Sequence, residues 1–166
     1  MKKISIVIPF FNEEPGINFF FNSLLEELKK IQGYSFELVL IDDGSEDNSL
    51  QSLIQLKGSE FITLKVIELS KNFGKESALT AGMHNSVGDA VIFMDSDLEH
   101  PPQVINLMIN KWEEGYDVVL GKRSSRENEK LFKRFAVRIF YKIYSKLSQF
   151  KTSPGVGEFR LMNKIS

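Results

Sequence analysis

The sequence predicts a single α/β domain: a Rossmann-like, mostly parallel sheet with helices on both faces. Three observations carry that reading. Apolar runs alternate with helical patterns along residues 1–121, as in chains that wind a sheet through crossover helices. Some runs, such as Ala90-Val91-Ile92-Phe93-Met94, are apolar throughout, the pattern of strands buried on both faces. A polar cluster follows each run, so acids, amides and cations gather at what would be the carboxyl rim of one sheet.

The elements follow in order. The basic start Met1-Lys2-Lys3 superficially resembles a signal peptide, but its apolar stretch breaks at Pro9 and Asn12 follows; Ile4–Phe11 is therefore a first strand. A helix is expected over Glu14–Ile31, with Pro15 in its first turn and Gly33 beyond its end. Strands Phe36–Asp42 and Ile62–Leu69 flank a helix at Asn48–Leu56, and a helix at Lys75–Ser86 leads to the strand Ala90–Asp95. Pro101-Pro102 opens a helix at Pro102–Glu114 that Gly115 stops before a fifth strand, Asp117–Gly121.

With 166 residues and 42% hydrophobic content, the chain has material for one real core. Cysteine is absent, so there is no disulfide and no thiolate chemistry, which fits a reducing cytosol. No stretch reaches the ~18 uninterrupted apolar residues that cross a bilayer. Residues 1–121, the α/β core, hold 9 Lys/Arg against 19 Asp/Glu, whereas 122–151 hold 10 against 2. Residues 122–166 form a second segment of the same domain. Within it, Phe132, Phe135, Ile139, Phe140, Ile143 and Leu147 make an apolar helical face over 130–150, flanked by Lys130, Arg134, Arg138, Lys142 and Lys146. Such a basic amphipathic helix suits either a membrane surface or a packed core with a solvated back. A basic segment on an acidic body points to an anionic partner; no nucleic-acid partner is expected.

The candidate chemistry begins at Asp95-Ser96-Asp97. Side-chain direction repeats every second residue in extended backbone, so both acids should leave the strand on one side. Two hard oxygen donors there suit Mg2+ or Mn2+ held against a phosphate. The other strand exits supply Pro9 to Glu14, Asp42-Asp43-Gly44-Ser45, Ser70 to Lys75, and Gly121-Lys122-Arg123. No Gly-X-Gly-X-X-Gly follows a strand, and Gly74-Lys75 lacks the first glycine and the Ser/Thr of a P-loop. Phosphate binding then falls to a metal at Asp95 and Asp97 and to Lys71 or Arg123.

These pieces together resemble the family 2 glycosyltransferases of the GT-A fold. The subgroup they are most similar to is that of dolichyl-phosphate mannose synthase and the bacterial polyprenyl-phosphate glycosyltransferases. The resemblance runs in order through Ile8 to Glu13, Ile41 to Ser45, Leu69 to Glu76, Met94 to Leu98, Pro101-Pro102, Trp112 to Val119 and Phe159-Arg160-Leu161.

The resemblance implies a metal-dependent, inverting hexosyltransferase that moves a sugar from a UDP- or GDP-linked donor to a polyprenyl phosphate, an anionic lipid. Residues 1–121 would bind the nucleotide sugar and 122–166 would serve the acceptor. Pro9, Phe11, Glu13, Asp42, Lys71 and Asp95 would hold the nucleotide. Asp97 and Asp95 would ligate the metal, with Glu99, where the subgroup usually has glutamine, as a third ligand. Glu158, where it has aspartate, would serve as base or acceptor contact. Arg123 and Arg126 would grip the acceptor, and Arg160 would line the acceptor loop. A lipid phosphate, with a second pKa of about 6, is already largely dianionic at neutral pH, so it needs cations to orient it more than a base. His100 is expected to be a polar turn residue. The resemblance further implies a cytoplasmic protein at the inner face of the cell membrane, active in cell-envelope glycan synthesis, and is compatible with a homo-oligomer. Relatives usually continue past the position of Ser166, so the chain is expected to be either shortened or a short member. Alternatives are a nucleotide-sugar-binding domain without turnover, transfer to a saccharide hydroxyl, and a nucleotidyltransferase, whose glycine-rich signature is missing.

Overall fold

The computed structural model describes residues 1–97, 100–122 and 156–164. Among these the elements run β1 (Lys2–Phe10), α1 (Glu14–Leu28), β2 (Tyr34–Asp42), α2 (Ser49–Gln55), β3 (Ile62–Glu68), α3 (Lys75–His84), β4 (Ala90–Phe93), α4 (Val104–Glu113), β5 (Val118–Lys122) and β6 (Val156–Asn163). The five strands and four helices expected within residues 1–121 are all present, each boundary within three residues of its expected place. The amphipathic segment expected over 130–150 lies outside the described residues.

The sheet order is β3-β2-β1-β4-β6-β5. β1 pairs in parallel with β2 and β4, and β2 with β3. β6 is the departure from expectation: it lies antiparallel between β4 and β5. Two successive antiparallel pairings restore direction, so β5 points the same way as β4. The carboxyl ends of all five expected strands therefore still share one rim. Arg160, expected in a loop, instead sits within β6 opposite Phe93.

The pleat sends alternate residues to opposite faces, and the chain is apolar on both. Ile4, Ile6, Ile8, Leu38 and Leu40 pack with Phe20 and Leu24 of α1 and with Ile105 and Met108 of α4. On the other face, Val7, Val39 and Ile41 meet Ala78 and Leu79 of α3. Each such side chain contributes about 1.5–3 kcal/mol by leaving water. α3 seats closely because Gly82 has no side chain: a Cβ there would lie 2.3 Å from Val7 Cγ1.

The amino rim of the sheet is closed by a buried carboxylate. Glu37, only 5% exposed, accepts from the Ser5 hydroxyl at 2.6 Å and the Val87 N–H at 2.9 Å, and Lys65 Nζ lies 3.5 Å away. Ser5 Oγ in turn accepts from the Gly88 N–H at 2.9 Å. Burial pushes the Glu37 carboxyl up, but the Ser5 and Val87 donors and the Lys65 charge outweigh it and hold it below the ordinary glutamate value. No helix among the described residues is long and apolar enough to cross a membrane.

Candidate active site

At the carboxyl rim the loops are locked to one another. After β1 the chain turns through Asn12, whose φ of 53° lies in the left-handed region that asparagine tolerates better than most residues. Its N–H donates to Ser45 Oγ (3.0 Å), and its Oδ1 accepts from the Glu46 N–H (2.8 Å). The next N–H, of Glu13, donates to Ser49 Oγ (2.8 Å). The β1 and β2 exits thus form one unit.

The β3 exit docks on the same unit. Gly44 has φ 68°, and a Cβ there would stand 2.3 Å from the Lys71 carbonyl carbon, so only glycine permits this approach. The buried Asp43 accepts from the Phe73 N–H (2.9 Å) and the Gly74 N–H (3.0 Å) through separate oxygens. That fixes where α3 begins. Its first residue, Lys75, reaches across so that Nζ lies 2.6 Å from Asp95 Oδ1.

The result is a cleft of about 290 Å³. Pro9, Phe10, Phe11 and Glu13 line it from the β1 exit and Asp43 from the β2 exit. Asn72, Gly74 and Lys75 come from the β3 exit, and Asp95, Ser96 and Asp97 from the β4 exit. Of the residues expected to bind nucleotide or metal, Pro9, Phe11, Glu13, Asp95 and Asp97 meet here.

Others stand elsewhere. Asp42 does not line the cleft and is buried at 1% exposure. One of its oxygens accepts from the Ser45 N–H (3.1 Å), while Oδ1 finds no partner among the described residues. Lys71 is turned aside, its Nζ 5.2 Å from the centre of the Phe73 ring, and Lys75 is the cation in the cleft. Arg160 lies over the ring of Phe93 at 5.1 Å, and its Nε is buried with no partner among the described residues. His100 stacks on Phe159, ring centres 4.9 Å apart. Glu99, Arg123 and Arg126 lie outside the described residues, as does the side chain of Glu158.

The two acids converge by a different route from the one expected. β4 ends at Phe93, and Ser96 and Asp97 form a turn. The backbone is not extended there, so strand alternation does not apply. Ser96 also faces the cleft, donating its hydroxyl to Glu13 Oε2 at 2.6 Å. This bond ties the acidic turn to the β1 exit.

Among the described residues no three His, Cys, Asp or Glu side chains form a ready metal cage. Two carboxylates are nonetheless what Mg2+ commonly takes from a protein when substrate phosphates and water complete its shell. The donor set of Asp95 and Asp97 fits an ion shared with a diphosphate.

Residues 5–166 match the family model described as Glycosyl transferase family 2. The chain belongs to that family. It is 41% identical over 162 residues to an uncharacterized glycosyltransferase of Synechocystis sp., covering 98% of this chain and 50% of the relative. It is equally identical over 162 residues to a prophage bactoprenol glucosyl transferase homolog of Escherichia coli K12, covering 98% and 52%. The chain thus spans about half the length of these relatives. Among solved structures, glucosyl-3-phosphoglycerate synthase from Mycobacterium tuberculosis, in complex with Mn2+, UDP and phosphoglyceric acid, superposes with a TM-score of 0.64. It is 22% identical, over 98% of this chain and 56% of that one, a likeness that carries the fold alone. S. aureus TarS 1-349 in complex with UDP matches at 27% identity and a TM-score of 0.56, over 78% of this chain and 38% of that one. The GT-A architecture expected from sequence is the one these neighbours share.

Proposed function

We propose that this family 2 chain binds a UDP-linked sugar in the carboxyl-rim cleft, together with Mg2+ or Mn2+, and transfers the sugar with inversion to a polyprenyl phosphate. The observation that carries the reading is the convergence of Asp95 and Asp97 with the Pro9–Glu13 exit in one cleft. The 27% identical TarS complex, which holds UDP, supports the nucleotide. The 41% identical bactoprenol glucosyl transferases of Shigella phages support the acceptor.

The roles follow from chemistry. Asp95 and Asp97 would hold the ion, which when bound neutralises negative charge gathering on the departing diphosphate. Phe11, exposed at the cleft mouth, offers the base an aromatic surface. Asp42, between Ile41 and the cleft-lining Asp43, has a buried Oδ1 without a partner among the described residues. An unpaired buried acceptor costs about 1–3 kcal/mol, and an N–H or O–H of the nucleotide would satisfy it. Glu13, held by Ser96, keeps the acidic turn against the base-side loop. A lipid phosphate needs orientation by cations, for which bidentate arginine is suited; Arg123, Arg126 and Arg160 are the proposed set. Glu158 and Glu99 keep their proposed places as acceptor contact and further metal ligand.

The experiment is transfer of labelled glucose from UDP-glucose to polyprenyl phosphate, with Mn2+, with chelator, and with a neutral saccharide as acceptor. Transfer to the lipid phosphate that chelator abolishes is expected. Transfer that persists in chelator, or a preference for the saccharide, would overturn the metal or the acceptor assignment respectively.

A further inference from the structure

The acidic turn after β4 is tied to its surroundings at two points. Ser96 bonds it to Glu13 of the β1 exit. Three residues beyond Asp97, the ring of His100 stacks on Phe159 of β6, with centres 4.9 Å and planes 20° apart. The ladder sets up this second meeting. β6 runs antiparallel to β4 with Arg160 opposite Phe93, the last residue of β4. Phe159 therefore enters the sheet level with the start of the turn.

Phe159 is itself held on several sides. Its side chain is 2% exposed and belongs to the core shared with α1 and α4. On β5 the ladder shifts register between Leu120 and Lys122. A Cβ on the intervening Gly121 would stand 2.5 Å from Phe159 Cδ1. The next residue, Arg160, lies over the Phe93 ring. A ring seated in this way moves only with its strand, so the half-buried His100 takes its position from β6.

We propose that His100 is a positioning residue. Its stack on Phe159 sets the acidic turn, and with it the bound donor, at a fixed separation and tilt from β6, the strand that carries Glu158 and Arg160. The inference rests on reading the cleft as the donor site and β6 as part of the acceptor side. Stacked rings constrain separation and tilt together, which the single hydrogen bond of Ser96 does not. Transfer needs the reacting atoms about 3–3.5 Å apart, and a misplacement of about 1 Å costs on the order of 10²-fold. The stack uses the flat face of the imidazole and not its nitrogens.

The test is transfer of labelled glucose from UDP-glucose to polyprenyl phosphate by wild type, His100→Ala and His100→Phe, each substrate varied in turn, beside thermal unfolding of each protein. His100→Ala should lower kcat about 10–100-fold, with both KM values within about threefold and the melting temperature within a few degrees. His100→Phe keeps a ring to stack and should hold kcat within about threefold of wild type. In a Phe159→Leu background His100→Ala should add little further loss, because the two rings act as a pair; the single variants decide the matter if that background does not fold. A His100→Ala protein that melts lower but keeps wild-type kcat when folded overturns the proposal, since the stack would then only stabilise. His100→Phe as slow as His100→Ala overturns it by giving the imidazole nitrogens a chemical role. A loss confined to the KM for UDP-glucose overturns it by placing His100 in the donor site. Failure of the underlying reading looks different: the wild-type protein would then transfer no glucose to the lipid phosphate.

Discussion

The strand β2 ends in a buried acid pair at one rim of the sheet and carries a buried carboxylate near the other, and the two are treated in opposite ways. At the amino rim, Glu37 is matched by a hydroxyl, a backbone N–H and a lysine. At the carboxyl rim, Asp42 keeps Oδ1 unpartnered among the described residues, and the neighbouring exits add Glu13, Asp95 and Asp97 to one cleft. Burial alone does not separate them, since Asp42 is at least as buried as Glu37. What separates them is the supply of donors. A carboxylate satisfied from within stabilises the fold, and one left short of donors costs stability until something outside supplies them.

The largest expected effect is at the carboxyl rim. Asp97→Asn should lower transfer by about 10²–10³-fold, the scale of removing one preorganised electrostatic contribution, while the melting temperature stays within a few degrees. A steady-state assay beside calorimetric unfolding checks both halves. Loss of fold with loss of activity would erase the contrast between the rims.

Next in size is the amino rim. Glu37→Ala strands the Ser5 hydroxyl and the Val87 N–H and should destabilise by about 2–3 kcal/mol, with UDP affinity of the folded protein unchanged. The same residue sets a pH dependence. Its folded-state value is held below the unfolded one, so its stabilisation is fully present above the unfolded glutamate value of about 4.3. That stabilisation is lost as pH falls through the folded value. Denaturant titrations from pH 7 downward should show wild type losing stability in that window, and Glu37→Gln losing correspondingly less.

Asp42→Asn sharpens the comparison from the other side. It should weaken UDP binding about tenfold, one hydrogen bond's worth, yet leave stability equal or slightly higher, because Oδ1 loses no partner among the described residues. Isothermal titration and thermal melts would show this; a clear loss of stability would place Asp42 with Glu37 as a structural acid. The smallest effect belongs to Tyr34, whose hydroxyl donates to Glu113 Oε1 at 2.8 Å. Burial and the adjacent Glu113 carboxylate push its pKa up to about 12. Tyr34→Phe should cost about 1 kcal/mol and leave transfer untouched.

Much of this was legible from residue order. The apolar runs fixed β1 to β5, and the prolines and glycines at helix ends fixed the helices to within a turn, because those signals are local. β6 was not legible as a strand. Phe159-Arg160-Leu161 is a short run, and its insertion between β4 and β5 is a pairing between distant parts of the chain. At the site, sequence identified the rim and its loops but not which neighbour faces inward. Asp43 rather than Asp42 lines the cleft, and Lys75 rather than Lys71 is the cation lining it. Both depend on how the Gly44 turn packs on the Lys71–Asn72 backbone and how Asp43 fixes the Phe73 and Gly74 N–H groups, which spacing does not encode. One signal was available for Lys75: as the first residue of an expected helix after a strand exit, it had to lie at the rim.

The proposed function requires that Asp95 and Asp97 hold a divalent ion jointly with a nucleotide diphosphate. Its most direct test is calorimetric titration of the wild-type chain and Asp97→Asn with UDP, in Mn2+ and in chelator. UDP should bind in Mn2+ and weaken at least about tenfold in chelator, and for Asp97→Asn Mn2+ should make no difference. Equal UDP affinity in Mn2+ and in chelator for the wild-type chain would contradict it.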